Sequence, residues 1–421
     1  MNPIKSWKLR HDQGRGFRHG HPWVFSNELA QSPKGVEPGE TIELLDESGA
    51  FLARGYGNPA SLIAFRVLSR DPASREATDE ALVHGILKRA WDWRASLGMT
   101  QHSFRLCFGE ADGLPGVVID VYRLRGGETV CSVQLNTAGG EKLSPAILAA
   151  LEKMTGPPLR AILVRDSRSR LLEGLTTEPK AWVNAPEGLD RGPVAIMTEH
   201  GEFWTDLARG QKTGFYLDQS ANIAVAAEWV QRLAADPSRK SRKFSVLDLF
   251  CYVGQWGVSL GAAARGAGAS VEVTFADASG PALELALRNA KDRGLDAKSV
   301  EADLVEALPA TGMHAMVVCD PPALIKKKKD VPTGRKAYLK LNREALKLVE
   351  PGGLFVTCSC SGLFPESEFQ AMLSQAAHQA KRRVHWIGRG GHAADHPRLA
   401  EFPEGQYLKC WIGVVEPHGG A

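Results

Sequence analysis

The chain has 421 residues, which is too long for one ordinary domain and predicts two or three. Its composition is globular, with 43% apolar and 24% charged residues, and no apolar run approaches the roughly 20 residues of a membrane span. Residues 1–5 lack the apolar stretch of a secretory signal, and the odd count of seven cysteines fits a reducing compartment. We therefore expect a cytoplasmic protein without a membrane partner.

The net charge of +3 is too small for a protein that binds polyanions over its whole surface. Positive residues are nevertheless clustered at residues 10–21, 165–170, 326–329 and 381–383. Each cluster alone is more often a solvated face than a binding site. Together, in an enzyme that acts on a base, four such clusters would favour nucleic acid as the partner.

In chain order, the first predicted domain is β-rich and spans residues 1–75, and a small α+β domain follows over residues 76–195. Strands are predicted at residues 41–45, 51–56, 63–68, 117–121, 129–135 and 161–164. The apolar spacing predicts helices at residues 80–97 and 143–154. Gly192 and Pro193 then predict a hinge.

From residue 196 to residue 421 predicted strands and helices alternate, which is typical of a doubly wound α/β sheet. Strands are predicted at residues 245–250, 271–276, 314–319 and 354–357, and helices at residues 281–293, 335–349 and 365–380. Pro281 and Pro365 fall at helix starts, where a missing backbone N–H costs little. The predicted fold class is therefore α/β, with a Rossmann-like domain at the C-terminal end.

The first strand of this region runs into a glycine-containing loop, residues 248–257, that suits a bound cofactor. The loop has neither Gly-x-Gly-x-x-Gly nor a Walker lysine, which disfavours a nicotinamide dinucleotide or a nucleoside triphosphate. Asp248, Asp277 and Asp303 are predicted at three successive strand ends. Acids there can accept hydrogen bonds from a ribose diol and an adenine amine, as in the S-adenosylmethionine pocket of class I methyltransferases. The alternative is that they are only helix caps and turn acids.

The residues that suggest a reaction lie between Met313 and Gly362. Asp320-Pro321-Pro322 follows one predicted strand, and the run 357–361, with cysteines at 358 and 360, ends the next. Neighbouring parallel strands end at one cleft, so an acid and a thiol can meet there. A thiolate that adds to C6 of a pyrimidine activates C5 for methylation, and an acid facing N3 and the exocyclic amine selects cytosine. A free cysteine has a pKa of about 8.5, so such a site must favour the thiolate.

With these motifs, the chain resembles the bacterial 23S ribosomal RNA methyltransferases that make 5-methylcytosine, the large-subunit methyltransferase I family. Residues 21–26 and 52–55 resemble that family's N-terminal PUA domain, and residues 110–116 its middle domain. Residues 211–219 resemble the segment leading into the catalytic domain, and residues 394–397 and 403–409 the closing stretch. The resemblance implies S-adenosylmethionine as methyl donor and large-subunit ribosomal RNA as substrate. It also implies that a homodimer can form.

The resemblance further implies roles for individual residues. The family's nucleophile sits in Ser-Cys-Ser-Gly, which favours Cys360 as the attacking thiol and leaves Cys358 a packing residue; Asp320 is the acid. The implied cofactor-binding residues are Phe215, Asp218, Asp248, Phe250, Gly254, Asp277, Asp303, Asp320 and Pro321. The chain departs from the family after Gln219: arginines are common there, whereas this chain has Ser220-Ala221-Asn222-Ile223.

A base inside a duplex cannot reach a protein thiol, so the target must be flipped out or unpaired. The candidate RNA-binding residues are Arg15, Arg18, His21, Lys326, Lys327 and Lys328. We expect Lys326 to Lys329 to form a basic lip over the active site.

Two other functions stay open. One is methylation of a purine nitrogen in RNA, disfavoured because Ala323, and not an aromatic residue, follows Pro-Pro. The other is a non-catalytic RNA-binding assembly factor, disfavoured by the intact acids and thiol. Uracil C5 methylation is chemically adjacent, but an acid suits cytosine better. No metal is expected, because the Cys-x-Cys of residues 358–360 has no second paired cluster.

Overall fold

The computed structural model describes residues 4–185, 192–239 and 242–417, and the chain divides into two units. The first unit comprises Met1–Glu199, Thr205–Leu217 and Asp395–Gly405. The second comprises His200–Trp204, Asp218–Ala394 and Gln406–Ala421. In the described ranges no helix is long and apolar enough to cross a membrane.

The N-terminal part of the first unit is a five-stranded sheet. Its elements are β1 (Lys5–Lys8), the short helix α1 (Arg15–Arg18), β2 (Trp23–Phe25), β3 (Glu40–Leu45), β4 (Phe51–Gly57) and β5 (Ile63–Ser69). The strands lie in the order β1-β3-β4-β5-β2. Gly55 permits close pairing of β4 with β5, because a Cβ at this position would lie 2.0 Å from the carbonyl oxygen of Arg66. The three predicted strands are present, whereas β1 and β2 were not predicted.

A second five-stranded sheet, in the order β10-β9-β8-β7-β6, follows in the same unit. The elements are α2 (Asp79–Ser96), β6 (Phe104–Phe108), β7 (Val117–Arg123), β8 (Thr129–Leu135), α3 (Ala138–Lys142), α4 (Ser144–Thr155), β9 (Ala161–Arg165), β10 (Glu178–Val183) and β11 (Val194–Thr198). Helix α2 begins where the Thr78 hydroxyl accepts from the N–H of Ala81, at 3.2 Å. Both predicted helices are therefore present to within one residue. The boundaries at residues 75 and 195, and the hinge at Gly192, stay predictions.

The second unit contains a seven-stranded sheet with helices between its strands. Strand β12 (Gly201–Thr205) comes before this sheet in the chain. The elements after it are α5 (Ser220–Ala234), β13 (Phe244–Leu249), α6 (Gln255–Gly266), β14 (Val271–Asp277), α7 (Gly280–Asp292), β15 (Asp296–Glu301), β16 (His314–Cys319), α8 (Val331–Lys347), β17 (Val349–Ser359), α9 (Glu366–Gln379), β18 (Arg382–Gly390) and β19 (Lys409–Pro417). The order is β15-β14-β13-β16-β17-β19-β18, and only β19 is antiparallel to its neighbours. The strand order therefore reverses between β13 and β16, which is where such sheets bind ligands.

Three features of this sheet differ from the prediction. Strand β17 is 11 residues long and includes Gly352 and Gly353, which were predicted as a corner. The β16–β17 register shifts across these glycines, with Gly352 at φ 72°, so the pairing is interrupted there while the strand continues. Helix α8 begins at Val331, four residues earlier than predicted, with proline in its first turn. Strands β18 and β19 were not predicted.

Candidate active site

The loop between β13 and α6 has a strained backbone. Phe250 and Tyr252 have φ values of 62° and 51°, in the left-handed region that non-glycine residues rarely adopt. Gly254 follows at φ 80°, and a Cβ there would lie 2.9 Å from the ring of Phe275. Strain of this kind concentrates at ligand-binding loops, because the surrounding structure must hold it in place. The structure therefore puts Phe250 and Gly254 in a loop suited to a cofactor.

Asp248 does not lie at a strand end, which corrects the prediction. It is the penultimate residue of β13, only 1% exposed, and one of its oxygens accepts from the N–H of Gly257 at 2.7 Å. Burial above all, opposed by that hydrogen bond and assisted by the nearby Asp320 and Asp277, raises the pKa of Asp248 to about 8. Asp248 therefore supports the loop backbone through Gly257, and its cofactor role stays a prediction.

Asp277 and Asp303 lie at the carboxyl edge of the sheet. Asp277 is the last residue of β14, is half-buried, and accepts from the N–H groups of Tyr252 (2.9 Å) and Ser279 (3.0 Å). Asp303 lies two residues beyond β15, is exposed, and accepts from the N–H of Val305 at 3.0 Å. Both carboxylates therefore stabilise turns by accepting hydrogen bonds from backbone N–H groups, and both remain candidates for cofactor binding.

Two further cofactor candidates precede α5. Phe215 is buried in the first unit. Asp218 belongs to the second unit, is 6% exposed, and accepts from the hydroxyl of Tyr407 at 2.5 Å. The backbone carbonyl of Asp218 accepts from the N–H of Ala393 at 3.1 Å. The cofactor role of Phe215 and Asp218 stays a prediction.

The carboxylate of Asp320 is held by two side chains that the sequence did not assign. Its Oδ2 accepts from Nε2 of Gln219 at 2.8 Å and from the indole N–H of Trp256 at 3.2 Å. Gln219 is oriented in turn by Asn222, whose Nδ2 donates to the Gln219 carbonyl oxygen at 2.6 Å. Asn222 is 2% exposed and also bonds both backbone groups of Gly391. Asn222 lies in the segment where the family commonly has arginines. It therefore orients Asp320 through Gln219.

The thiol of Cys360 lies beside the Asp-Pro-Pro turn, as predicted. Its Sγ is 3.7 Å from the carbonyl oxygen of Pro321. The next residue, Ser361, joins the same two segments: its Oγ accepts from the N–H of Ile325 at 3.1 Å and bonds the hydroxyl of Tyr338 at 2.9 Å. Cys360 is half-buried, one residue past the end of β17. The ends of β16 and β17 thus bring the predicted acid and thiol into one site.

The other six cysteines are buried. Cys358 is opposite Cys410 in the β17–β19 register and is fully inaccessible. Burial, followed by the neighbouring Cys410, raises the pKa of Cys358 well above its usual value. A thiol that stays protonated and out of contact with solvent cannot attack a base, which supports the packing role predicted for it. In the described part of the chain, no cluster of three or more His, Cys, Asp or Glu residues could hold a metal ion.

The candidate RNA-binding residues have different environments. In the second unit, Lys326, Lys327 and Lys328 are exposed between the Asp-Pro-Pro turn and α8. In the first unit, Arg15 and Arg18 are exposed on α1. These five stay predictions.

His21, the sixth candidate, is half-buried and has partners within the first unit. Its side chain is 15% exposed and lies 3.2 Å from the carboxylate of Glu404. Its ring packs edge-on against Trp23 and Phe402, each with a centroid separation of 5.5 Å. Trp23 in turn donates from its indole to Glu110 at 2.8 Å. His21 and Trp23 therefore pack within the first unit, and an RNA contact by His21 stays a prediction.

Comparisons with known proteins agree with this geometry. A PUA-like domain model matches residues 8–70, and a methyltransferase small domain model matches residues 229–387. Ribosomal RNA large subunit methyltransferase I of Klebsiella pneumoniae is 36% identical over 401 residues, covering 92% of this chain and 93% of the relative. The Salmonella enteritidis protein of the same name is 35% identical, covering 92% of each chain.

Two solved structures share the fold at 18% identity. A methyltransferase crystallised with S-adenosylhomocysteine has a TM-score of 0.72, and a Streptococcus mutans protein has a TM-score of 0.71; each match covers 98% of this chain and 100% of the other. The predicted fold class, with S-adenosylmethionine as methyl donor, is thereby confirmed. With more than a third of residues identical along nearly its whole length, the chain belongs to the ribosomal RNA large subunit methyltransferase I family.

Proposed function

We propose that the protein transfers a methyl group to C5 of a cytosine in 23S ribosomal RNA through a covalent adduct between Cys360 and C6. The observation that carries the proposal is the pairing of the Cys360 thiol with the Asp-Pro-Pro turn, at 3.7 Å from the Pro321 carbonyl. The names of the curated relatives supply the substrate class, the large ribosomal subunit RNA. We further infer that the enzyme works in the cytoplasm and that it can form a homodimer.

The chain's own residues fit the methyl donor. The strained loop after β13 and the half-buried Asp277 at the end of β14 lie at the carboxyl ends of adjacent parallel strands, and β13 borders the point where the strand order reverses. We assign Asp218, Phe250, Gly254, Asp277 and Asp303, all in the second unit, to hold S-adenosylmethionine. When bound, S-adenosylmethionine supplies an electrophilic methyl group.

The proposed reaction begins at C6 of the base. The Cys360 thiolate forms a C–S bond there, and the electrons of the C5–C6 double bond move toward N3. C5 becomes nucleophilic through this addition and takes the methyl group. The C5 proton then leaves to a base, and the electron pair it releases expels the thiolate and restores the ring. The enzyme thiol is therefore regenerated in each cycle.

Asp320 is assigned to N3 and the exocyclic amine of the cytosine. An acid can share a proton with N3 as electron density arrives there, and it can accept a hydrogen bond from the amine. Gln219 and Trp256 both donate to its Oδ2, which fixes the plane of the carboxylate. A preoriented group costs no reorganisation during the reaction, and this is how such electrostatic stabilisation accelerates it.

The experiment uses labelled S-adenosylmethionine and ribosomal RNA from cells that lack the protein, with the wild type, Cys360→Ala and Cys358→Ala enzymes. Mass spectrometry of nucleoside digests identifies the product. We expect 5-methylcytosine from the wild type and Cys358→Ala enzymes and none from Cys360→Ala. A nitrogen-methylated purine, or 5-methylcytosine made by Cys360→Ala, would overturn the proposal.

A further inference from the structure

The inference concerns Lys409, the first residue of β19. Its side chain belongs to the second unit and is only 3% exposed. Lysine is almost never buried to this degree without a partner, because removing an ammonium from water is costly. The environment of Lys409 should therefore contain a group that compensates for its charge.

The direct partner of the ammonium is a neutral group. Nζ donates to the backbone carbonyl of Ser361 at 2.6 Å, in the segment that carries Cys360. Lys409 is also opposite Ser359 in the β17–β19 register, so two contacts fix the lysine next to the thiol's own turn. A carbonyl satisfies one N–H of the ammonium but does not neutralise its charge.

The charged and titratable groups around Lys409 come from three elements. The carboxylate that acts on Lys409 is Glu366 at the start of α9, which is already engaged by Arg389, with Nε and Oε1 2.5 Å apart. The phenol of Tyr338 on α8 stays neutral, because burial above all, and then Cys360, raises its pKa to about 12. The remaining group is Cys360. Burial lowers the pKa of Lys409 to about 8, while Cys360 and then Glu366 oppose this change.

We propose that the Lys409 ammonium is the counter-ion of the Cys360 thiolate: a positioning residue that keeps the nucleophile ionised at neutral pH without touching the base. The thiol otherwise donates to the Pro321 carbonyl, an acceptor that favours the protonated form. A nearby cation reverses that preference, as cations do at other reactive cysteines. The inference deepens the proposed function, since it concerns the same nucleophile.

The test measures alkylation of Cys360 by iodoacetamide between pH 5 and pH 10, read by mass spectrometry of the peptide that contains it. The buried cysteines serve as internal controls. Lys409→Met removes the charge, and Lys409→Gln removes the charge while keeping a donor for the Ser361 carbonyl. Lys180→Met is the matched control, because Lys180 also donates to backbone carbonyls, those of Leu207 and Gly210, in the other unit.

We expect both Lys409 variants to react roughly tenfold more slowly than wild type at pH 7 and equally fast at pH 10, where the thiol ionises in any case. Lys180→Met should follow the wild type. A wild-type profile in Lys409→Met, or in Lys409→Gln alone, would overturn the proposal. So would equal slowing at every pH, which indicates altered access. The alkylation assay involves no RNA. A methylated purine in the methylation assay would therefore refute the proposed function without changing the conclusion about Lys409 and Cys360.

Discussion

The thiol of Cys360 donates a hydrogen bond to the backbone carbonyl of Pro321, with Sγ and O 3.7 Å apart. The two residues follow adjacent parallel strands, β17 and β16, and are 39 positions apart in the chain. This contact keeps the thiol at the carboxyl edge of the sheet, where the fold binds ligands. Four predictions concern this edge and the residues that support it.

RNA that carries 5-fluorocytosine at the target site should trap the enzyme covalently. Fluorine cannot leave C5 as a proton does, so the adduct between C6 and Cys360 cannot break down after methylation. We expect a band that survives denaturing electrophoresis with the wild type and Cys358→Ala enzymes. Its presence with Cys360→Ala would show that the nucleophile has been misassigned.

Gln219→Leu should disturb Asp320 more than the cofactor. The substitution removes one of the two hydrogen bonds that orient the Asp320 carboxylate, the 2.8 Å bond from Gln219, and a hydrogen bond to a charged group contributes about 1.5–3 kcal/mol. We expect kcat/KM for RNA to fall by roughly ten- to hundredfold. Affinity for S-adenosylmethionine, measured by calorimetry, should change little. Gln231→Leu, at an exposed position of helix α5, which begins directly after Gln219, is the control; equal losses in the two variants would contradict the role given to Gln219.

Replacement of Lys326, Lys327 and Lys328 by glutamine should weaken RNA binding but not S-adenosylmethionine binding. These lysines are exposed beside the active-site turn. If all three contact phosphates, the slope of log affinity against log salt should fall by about 2–3. Lys243 and Lys298 are already paired with Asp296 and Glu272, so their replacement is the control. A parallel loss of cofactor affinity would refute the assignment.

Asp248 predicts a pH dependence of stability. Its folded-state pKa, raised by burial to about 8, exceeds the ordinary value of 3.8, so the folded protein holds a proton that the unfolded chain releases. The stability that this bound proton contributes is fully present below about pH 4 and is lost as the pH rises toward 8. Asp248→Asn removes this titrating group. The free energy of unfolding of the variant should therefore rise relative to that of the wild type by up to about 1.4 kcal/mol per pH unit between about pH 4 and pH 8.

Urea unfolding between pH 4.5 and pH 8 measures this difference in the free energy of unfolding. Asp92→Asn provides the control, since Asp92 is an exposed helix residue paired with Lys88. Curves for Asp248→Asn and wild type that run parallel over the whole range would show that Asp248 is ionised in the folded protein.

The sequence allowed the proximity of the Asp-Pro-Pro turn and Cys360 to be predicted, because the information is local. A buried apolar run such as His314–Cys319 predicts a central strand, and the residue after it must lie at the sheet edge. Asp320 and Cys360 could therefore be assigned to one cleft. Asp248 could not be judged in the same way: a shift of one position at the end of a strand separates a buried acid from an exposed one.

The supporting residues were missed because their partners are distant in sequence. Gln219 and Asp320 are 101 positions apart, and Lys409 and Ser361 are 48 apart. His21 and Glu404, which are in contact, are 383 positions apart. Neither spacing nor periodicity reports on such pairs. Only the insertion of β19 into the sheet brings Lys409 to the thiol.

The position of β19 between β17 and β18 also determines the order in which the sheet can form during synthesis. Strand β18 precedes β19 in the chain, yet β19 lies between β17 and β18. During synthesis, β18 therefore has no strand to pair with until residues 409–417 have left the ribosome. The same residues carry Lys409 beside the Cys360 turn. A nascent chain should thus have an exposed sheet edge and an incomplete active site until β19 docks. The sheet and the site of the nucleophile are therefore completed in the same folding step.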